Sequence, residues 1–228
     1  MAEQTNAQRG LRLEEIAADT AAQLTSAIIS DSLDALGLRN QVLSHGLMPL
    51  DRDARALGRA STVQFAPTET DESDPYAEAM AFIDGLAAGS VAVIATSGDD
   101  RTAYWGELFS AAAIGRGAAG TVCDGPVRDT PKIRALGYPV FAAGARPIDF
   151  RARMRIVSAG EPVRCAGVVV AGGDVVMADA DGVVVIPAAH EGPVLERAVA
   201  RATAERGVLA ELKAGARLRE VWDRWGIL

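Results

Sequence analysis

Two lysines, two histidines and two cysteines in a chain of 228 residues leave several kinds of chemistry without the residues they need. His45 and His190 stand far apart, with no cysteine at ligand spacing, so a zinc site built on imidazole is unsupported. His45 is expected at the surface before GLMPL, and His190 at the start of a C-terminal helix. No G-x-S-x-G elbow is present for Ser-His-Asp chemistry. No lysine precedes Lys132, so Schiff-base chemistry in the first half of the chain has no amine and would depend on that residue. Cys123 and Cys165 both fall inside apolar, strand-like runs, which predicts reduced core thiols and no disulfide framework.

Long apolar stretches are missing too. None approaches the roughly 20 residues of a membrane span, and MAEQTNAQRG carries no apolar signal region, so a cytoplasmic protein without a membrane partner is expected. Against 30 acidic residues the 23 basic ones are scattered, and the net charge of −7 argues against nucleic acid as a partner. Gly115, Gly117 and Gly120 spell G-x-G-x-x-G, but they end a helix and lead into a strand, the reverse of a dinucleotide fingerprint.

What is present is a hydrophobic fraction of 49%, enough for a real core, and a strong βαβ signal at its centre. SVAVIAT (90–96) and GTVCDG (120–125) are short β-branched runs flanking an Ala-rich helical segment that opens at Gly106. Parallel strands joined in this way send their following loops to one sheet edge, so Glu107 and the pair Arg128-Asp129 are expected to face one crevice. The amides of Gly106, Glu107 and Leu108 would be the unpaired donors of a helix N-terminus, suited to a carboxylate or phosphate. An anion site beside two carboxylates and an arginine points to a metal-assisted reaction on an acid.

Along the chain, residues 1–10 are expected to be disordered and 11–228 to form one domain. LRLEEIAADTAAQL predicts a helix with Leu13, Ile16 and Leu24 inward. A second helix follows, capped by Thr25, with Ile29, Leu33 and Leu36 on one face and Gly37 as its stop. RASTVQF reads as a half-exposed strand. Asp74-Pro75 reads as a helix start, with Tyr76, Met80 and Ile83 as its apolar stripe. RDTPKIRALG and YPVFAAG add a further helix and strand. From MRIVS to GVVVIPA the runs are too closely spaced for crossover helices, so this β-rich second half should be antiparallel or mixed. Helices near 190–213 and 217–225 complete an α/β chain, the latter offering Val221, Trp222 and Trp225 for packing on the body or on another subunit.

Twenty residues separate Glu107 from Arg128-Asp129. With TSAIISDSLDALG and DADGVVVIP, this Glu-X20-Arg-Asp arrangement resembles the RraA-like family, which includes the class II 4-hydroxy-4-methyl-2-oxoglutarate and 4-carboxy-4-hydroxy-2-oxoadipate aldolases. The resemblance implies a swivelling β/β/α-type domain, a homotrimer or hexamer, and cleavage of a 4-hydroxy-2-oxo diacid to pyruvate and a second oxo acid. Oxaloacetate decarboxylation is open to the same enolate. It further implies Mg²⁺ or Mn²⁺ held by Asp129 directly and by Glu107 through water. Arg128 and Glu107 would serve as catalytic groups with Asp129, and the 2-oxo acid would be bound by Gly106, Glu107, Leu108 and Arg128. The family pattern has Asp where this chain has Glu107. A glutamate from a neighbouring subunit is also implied, with Glu196 and Glu205 as candidates. Other members of the family are non-catalytic regulators that bind ribonuclease E. Those lack the aspartate of the Arg-Asp pair, which this chain retains as Asp129.

Overall fold

The computed structural model describes residues 10–44 and 46–227. His45 and residues 1–9, which the sequence reading placed at the surface and in a disordered terminus, lie outside them. In chain order the helices are α1 (Ala18–Ala21), α2 (Ser26–Asp34), α3 (Ala77–Asp84), α4 (Glu107–Gly115), α5 (Thr130–Leu136), α6 (Glu191–Lys213) and α7 (Leu218–Trp225). The strands of the first half are β1 (Met48–Pro49), β2 (Ala56–Pro67), β3 (Ser90–Ala95), β4 (Gly120–Val127) and β5 (Val140–Ala145). Those of the second half are β6 (Met154–Ala159), β7 (Val163–Cys165), β8 (Val168–Val170), β9 (Val175–Asp179) and β10 (Gly182–Ile186).

The main sheet runs β1-β5-β4-β3-β2-β9-β10, with β6 also on β2. Strands β2 to β5 are parallel, each step crossing through a helix, whereas β6, β9 and β10 pair antiparallel as the close spacing of their runs requires. The fold is therefore α/β with a βαβ centre and a β-rich second half. Strand β3 is buried on both faces. Ala92 and Ile94 pack under α3 and α4, while Val91, Val93 and Ala95 pack on Cys165, Val168 and the rest of the β7-β8 side. Cys123 and Cys165 are free and buried, which pushes both thiols well above their ordinary range.

Three expectations are corrected. The long first helix is a 3-10 turn (Leu13–Glu15) followed by the single-turn α1, because the backbone is extended at Ile16 (ψ 123°) and Ala17 (ψ 145°) between them. Leu11 N–H donates to Glu196, Leu13 N–H to Glu191, and Arg12 N–H to Glu15. The apolar side survives, with Leu24 fully buried and Leu13 and Ile16 against the α2-α6 cluster. Thr25 does cap α2, accepting from Ile28 N–H, but Leu36 lies beyond the helix end and is exposed, and Ile28 takes the inward place with Ile29 and Leu33. Helix α3 begins at Ala77, not Pro75, and buries Ala79 and Ile83 while Met80 stays exposed. At the C-terminus the two helices form a hairpin. The Trp225 ring lies where a side chain on Gly207 would be, its indole N–H donates to Glu211, and Val221 is buried.

Glu191, at the start of α6, is the one buried glutamate of the described residues, its side chain 1% exposed. Its carboxylate accepts from Arg12 Nη1 (2.6 Å), Arg59 Nη2 (2.8 Å) and the Leu13 amide (2.9 Å), tying β2 and the N-terminal segment to α6. Burial opposes its ionisation, but the Arg59, Leu13 and Arg12 donors outweigh that, and its carboxyl is held below the ordinary range. Glu14, on the same Arg59, is lowered to about 2 by that hydrogen bond. Glu191→Gln should lower unfolding free energy by about 3 kcal/mol near neutral pH. Because the folded-state pKa is depressed, this contribution is present above the ordinary carboxyl range and is lost as pH falls through the folded value. Urea titrations of both proteins from pH 7 to pH 3 check it; a pH-independent gap would mean that charge is not the cause.

Candidate active site

The carboxyl ends of β3, β4 and β5 converge on one edge, and the connection from β3 to α4 returns along it. Residues 103–105 run between the end of β4 and residues 148–149 of the loop that follows β5. Ala103 N–H donates to the Ile148 carbonyl (2.7 Å), Tyr104 N–H to Pro126 (3.0 Å), and Arg128 N–H back to Trp105 (2.9 Å). This ladder sets Gly106, the residue before α4, directly against Arg128 and Asp129. A Cβ on Gly106 would stand 3.1 Å from Asp129 Oδ2 and 3.2 Å from Arg128 Cγ. Only glycine fits there without displacing one of them.

Gly106 is extended (φ −162°, ψ −172°) and no side chain caps the helix it precedes. The amides of Glu107, Leu108 and Phe109 come before the first intrahelical bond, Ser110 N–H to the Gly106 carbonyl (3.0 Å), so they point out of the helix end toward the cleft. The Trp105 indole N–H donates to Ser110 Oγ (2.8 Å), whose hydroxyl donates to the Gly106 carbonyl, a buttress under this turn. Asp129 precedes α5 in the left-handed region (φ 57°), rare for a residue with a side chain, and its carboxylate makes no capping bond. The carboxylate lies instead beside Gly106, 3.7 Å from Arg128 Nε and 40% exposed.

Arg128 is aimed by a residue the sequence reading did not single out. Its Nη1 donates to Asp149 Oδ2 (2.8 Å), which also accepts from the Tyr76 hydroxyl (2.9 Å), while Oδ1 takes the Arg151 amide. Burial raises the Asp149 pKa, but the Arg151 amide, the Tyr76 hydroxyl and Arg128 together hold it below the ordinary carboxyl value. Tyr76 is pushed up, by burial first and then by its bond to Asp149. Glu107 Oε2 accepts from Lys132 Nζ (2.9 Å), which raises the lysine pKa and keeps the amine protonated. A protonated lysine is no Schiff-base nucleophile.

Together these groups line a cleft of about 350 Å³ that contains Tyr76, Trp105, Gly106, Glu107, Arg128 and Asp129. The expected site residues, Leu108 included, are thus brought to one place. Glu196 and Glu205 are not among them; in their own chain they bond to the Leu11 amide and to Arg201. A roomier hollow of about 520 Å³ beside Gln64, Ser97 and Arg164 holds Asp124, but both oxygens of that carboxylate are occupied by the Thr96 and Ala166 amides. Among the described residues no three His, Cys, Asp or Glu side chains converge. The donor set in the cleft is two carboxylates.

The close approach at Gly106 is testable without an assay. Gly106→Ala should destabilise the protein by about 1–2 kcal/mol through overpacking. The loss should shrink once Asp129→Ala removes the nearer obstacle, in a double-mutant cycle followed by urea unfolding. Strict additivity would contradict the contact.

A Halalkalibacterium halodurans protein carrying the provisional name 4-hydroxy-4-methyl-2-oxoglutarate aldolase is 35% identical over 175 residues, 77% of this chain and 78% of that one. Protein DlpA of Legionella pneumophila is 32% identical over 195 residues, 86% of this chain, and the match spans only 31% of that longer protein. The crystal structure of Streptomyces coelicolor RraAS2, described as an unusual member of the RNase ES inhibitor RraA protein family, superposes with a TM-score of 0.72 at 27% identity, covering 88% of this chain and 98% of that one. The family model described as RraA-like, Aldolase/RraA, matches residues 26–185, and the chain belongs to that family.

Proposed function

We propose that this chain is a divalent-metal-dependent lyase that cleaves the C3–C4 bond of a 4-hydroxy-2-oxo acid to release pyruvate and a second oxo compound. The observation that supports the reading most is the contact between Gly106 and the Arg128-Asp129 pair, which puts uncapped helix amides, a guanidinium and a free carboxylate in one cleft. The substrate carboxylate meets the Gly106–Leu108 backbone at the positive end of α4. Arg128 faces the 2-oxo oxygen, its orientation fixed by Asp149.

Whether a metal suits these residues is answered by the donors. Asp129 presents an exposed carboxylate 3.7 Å from Arg128 Nε, and Glu107, bonded through one oxygen to Lys132, stands at the adjoining helix start, an all-oxygen set. Mg²⁺ or Mn²⁺, which retain much of their water and take one or two carboxylates, fit such a set. Asp129 would hold the ion directly and Glu107 through water. When bound, the ion supplies a Lewis acid beside the 2-oxo oxygen.

Cleavage sends the C3–C4 electron pair toward the 2-oxo oxygen, where Arg128 stabilises the developing negative charge. The 4-hydroxyl loses its proton as the second product forms its carbonyl, and C3 gains a proton to complete pyruvate. Glu107, at the mouth of the amide site, is the carboxylate placed to shuttle that proton. Decarboxylation of oxaloacetate passes through the same charge distribution and belongs to the proposal, as does assembly into a trimer or hexamer.

Pyruvate release from 4-hydroxy-2-oxo acids and oxaloacetate should stop in excess EDTA and return with Mg²⁺ or Mn²⁺. Asp129→Asn should weaken Mg²⁺ binding and turnover together. Arg128→Ala should leave Mg²⁺ affinity intact and reduce kcat about 10²-fold, the usual loss of one preorganised donor to an oxyanion. Unaltered turnover in both folded variants, or no pyruvate from any of these acids, would favour the regulatory reading suggested by the likeness to RraAS2.

A further inference from the structure

The cleft has two unlike halves. At one end lie the α4 amides, Arg128 and Asp129. The remaining walls are apolar, made by Tyr76 just before α3, Met80 of α3, Leu108 and Phe109 of the first turn of α4, and Phe150. The aromatic members are braced from behind. Phe109 packs edge-on against Trp105 (5.6 Å between ring centres), and Phe150 against both Tyr76 (5.4 Å) and Phe65 (5.3 Å). Leu108 and Met80 are 79% and 47% exposed, so apolar surface continues to the mouth.

The charges nearby point the same way. Of the residues lining the cleft the charged ones are Glu107, Arg128 and Asp129, with Asp149 immediately behind on Arg128. Arg128 is already paired with Asp149, and Lys132, outside the lining, is paired with Glu107. A carboxylate carried at the far end of a substrate would find every cation beside these walls already paired, Arg128 with Asp149, Lys132 with Glu107 and Arg151 with Asp71. An apolar group there would leave water for an aromatic wall.

We infer that the substituent on C4 of the substrate is an alkyl or aryl group, and not the second carboxylate of the diacids that the family resemblance suggests. The inference rests on the lyase reading above. The reaction balances as HOOC–CO–CH2–CH(OH)–R giving pyruvate and R–CHO: the C3–C4 bond breaks, the hydroxyl proton leaves, and C3 takes up one proton.

The test separates binding from turnover. With Mg²⁺-loaded full-length protein, calorimetry compares 2-oxo-4-phenylbutanoate with 2-oxoglutarate, which share the 2-oxo acid head, differ in the tail, and lack the 4-hydroxyl needed for cleavage. The phenyl compound should bind at least about 10-fold tighter, and Met80→Arg, which sets a cation in the apolar wall, should move the ratio about 10-fold toward 2-oxoglutarate. Equal or tighter binding of 2-oxoglutarate to the native protein, or binding of neither, overturns the inference. So does a Met80→Arg protein whose oligomeric mass changes while the ratio does not, which would make this mouth a subunit contact. Pyruvate release from 4-hydroxy-2-oxo-4-phenylbutanoate and from 4-hydroxy-2-oxoglutarate is measured alongside. Release from the diacid alone defeats the apolar tail and spares the lyase. A clear binding preference with no pyruvate from either defeats the lyase reading and leaves the apolar subsite.

Discussion

The backbone ladder that holds residues 103–105 between the end of β4 and the loop after β5 is the constraint on which the site depends. Through it the Tyr104 amide reaches Pro126 and the Arg128 amide reaches Trp105, so the start of α4 cannot move independently of the Arg128-Asp129 turn. Parallel pairing of β3, β4 and β5 supplies the frame, since it directs three successive loops to one edge. Gly106 is the consequence. With backbone fixed on both sides, any larger residue would meet Asp129 and Arg128 closer than ordinary van der Waals contact. Asp129 in turn sits in a left-handed conformation that costs on the order of 1 kcal/mol and places a carboxylate in the cleft that a regular N-cap would have turned onto α5.

An acidic protein proposed to bind an acid must arrange its positive charge locally. Here it comes from three sources of different kind: the unpaired amides of α4, the Arg128 guanidinium, and the divalent ion proposed at Asp129. Arg128 is not left to find its own orientation. Asp149 accepts from it while being held by Tyr76 and the Arg151 amide, so the guanidinium is neutralised on one side and exposed on the other. Its side chain is 39% exposed, partly open to a ligand. The same device recurs at Arg59, where Glu14 and Glu191 fix a guanidinium for a purely structural end, joining β2 to α6.

Much of this was legible in the residues themselves. The β-branched runs at 90–96 and 120–125 bury all or nearly all of their side chains, so their apolar continuity carries the parallel strands directly, and the dense β runs after Pro147 carry the antiparallel half. Glu107, Arg128 and Asp129 could be brought together because parallel strands send their loops to one edge. What escaped were features decided by partners distant in sequence. The Leu11–Leu24 stretch has a helical pattern, yet its backbone turns extended at Ile16 and Ala17 while its early amides are tied to Glu191 and Glu196, some 180 residues away, and no local signal reports that. Met80 has helical spacing from Tyr76 but belongs to the cleft wall rather than the core. Asp149 sits in an irregular loop after β5. Its only sequence signal was its place past the carboxyl end of β5, the last of the parallel strands, the same edge as the other site residues.

The central claim is that the α4 amides and Asp129 act on one ligand with a divalent ion between them. Crystals grown with Mn²⁺ and oxalate, a two-carboxylate mimic of the pyruvate enolate, test it most directly. The account predicts an anomalous peak within bonding distance of the Asp129 carboxylate, with oxalate chelating it and one carboxylate against the Glu107 and Leu108 amides. Manganese at another site, or oxalate bound away from Gly106, would contradict it.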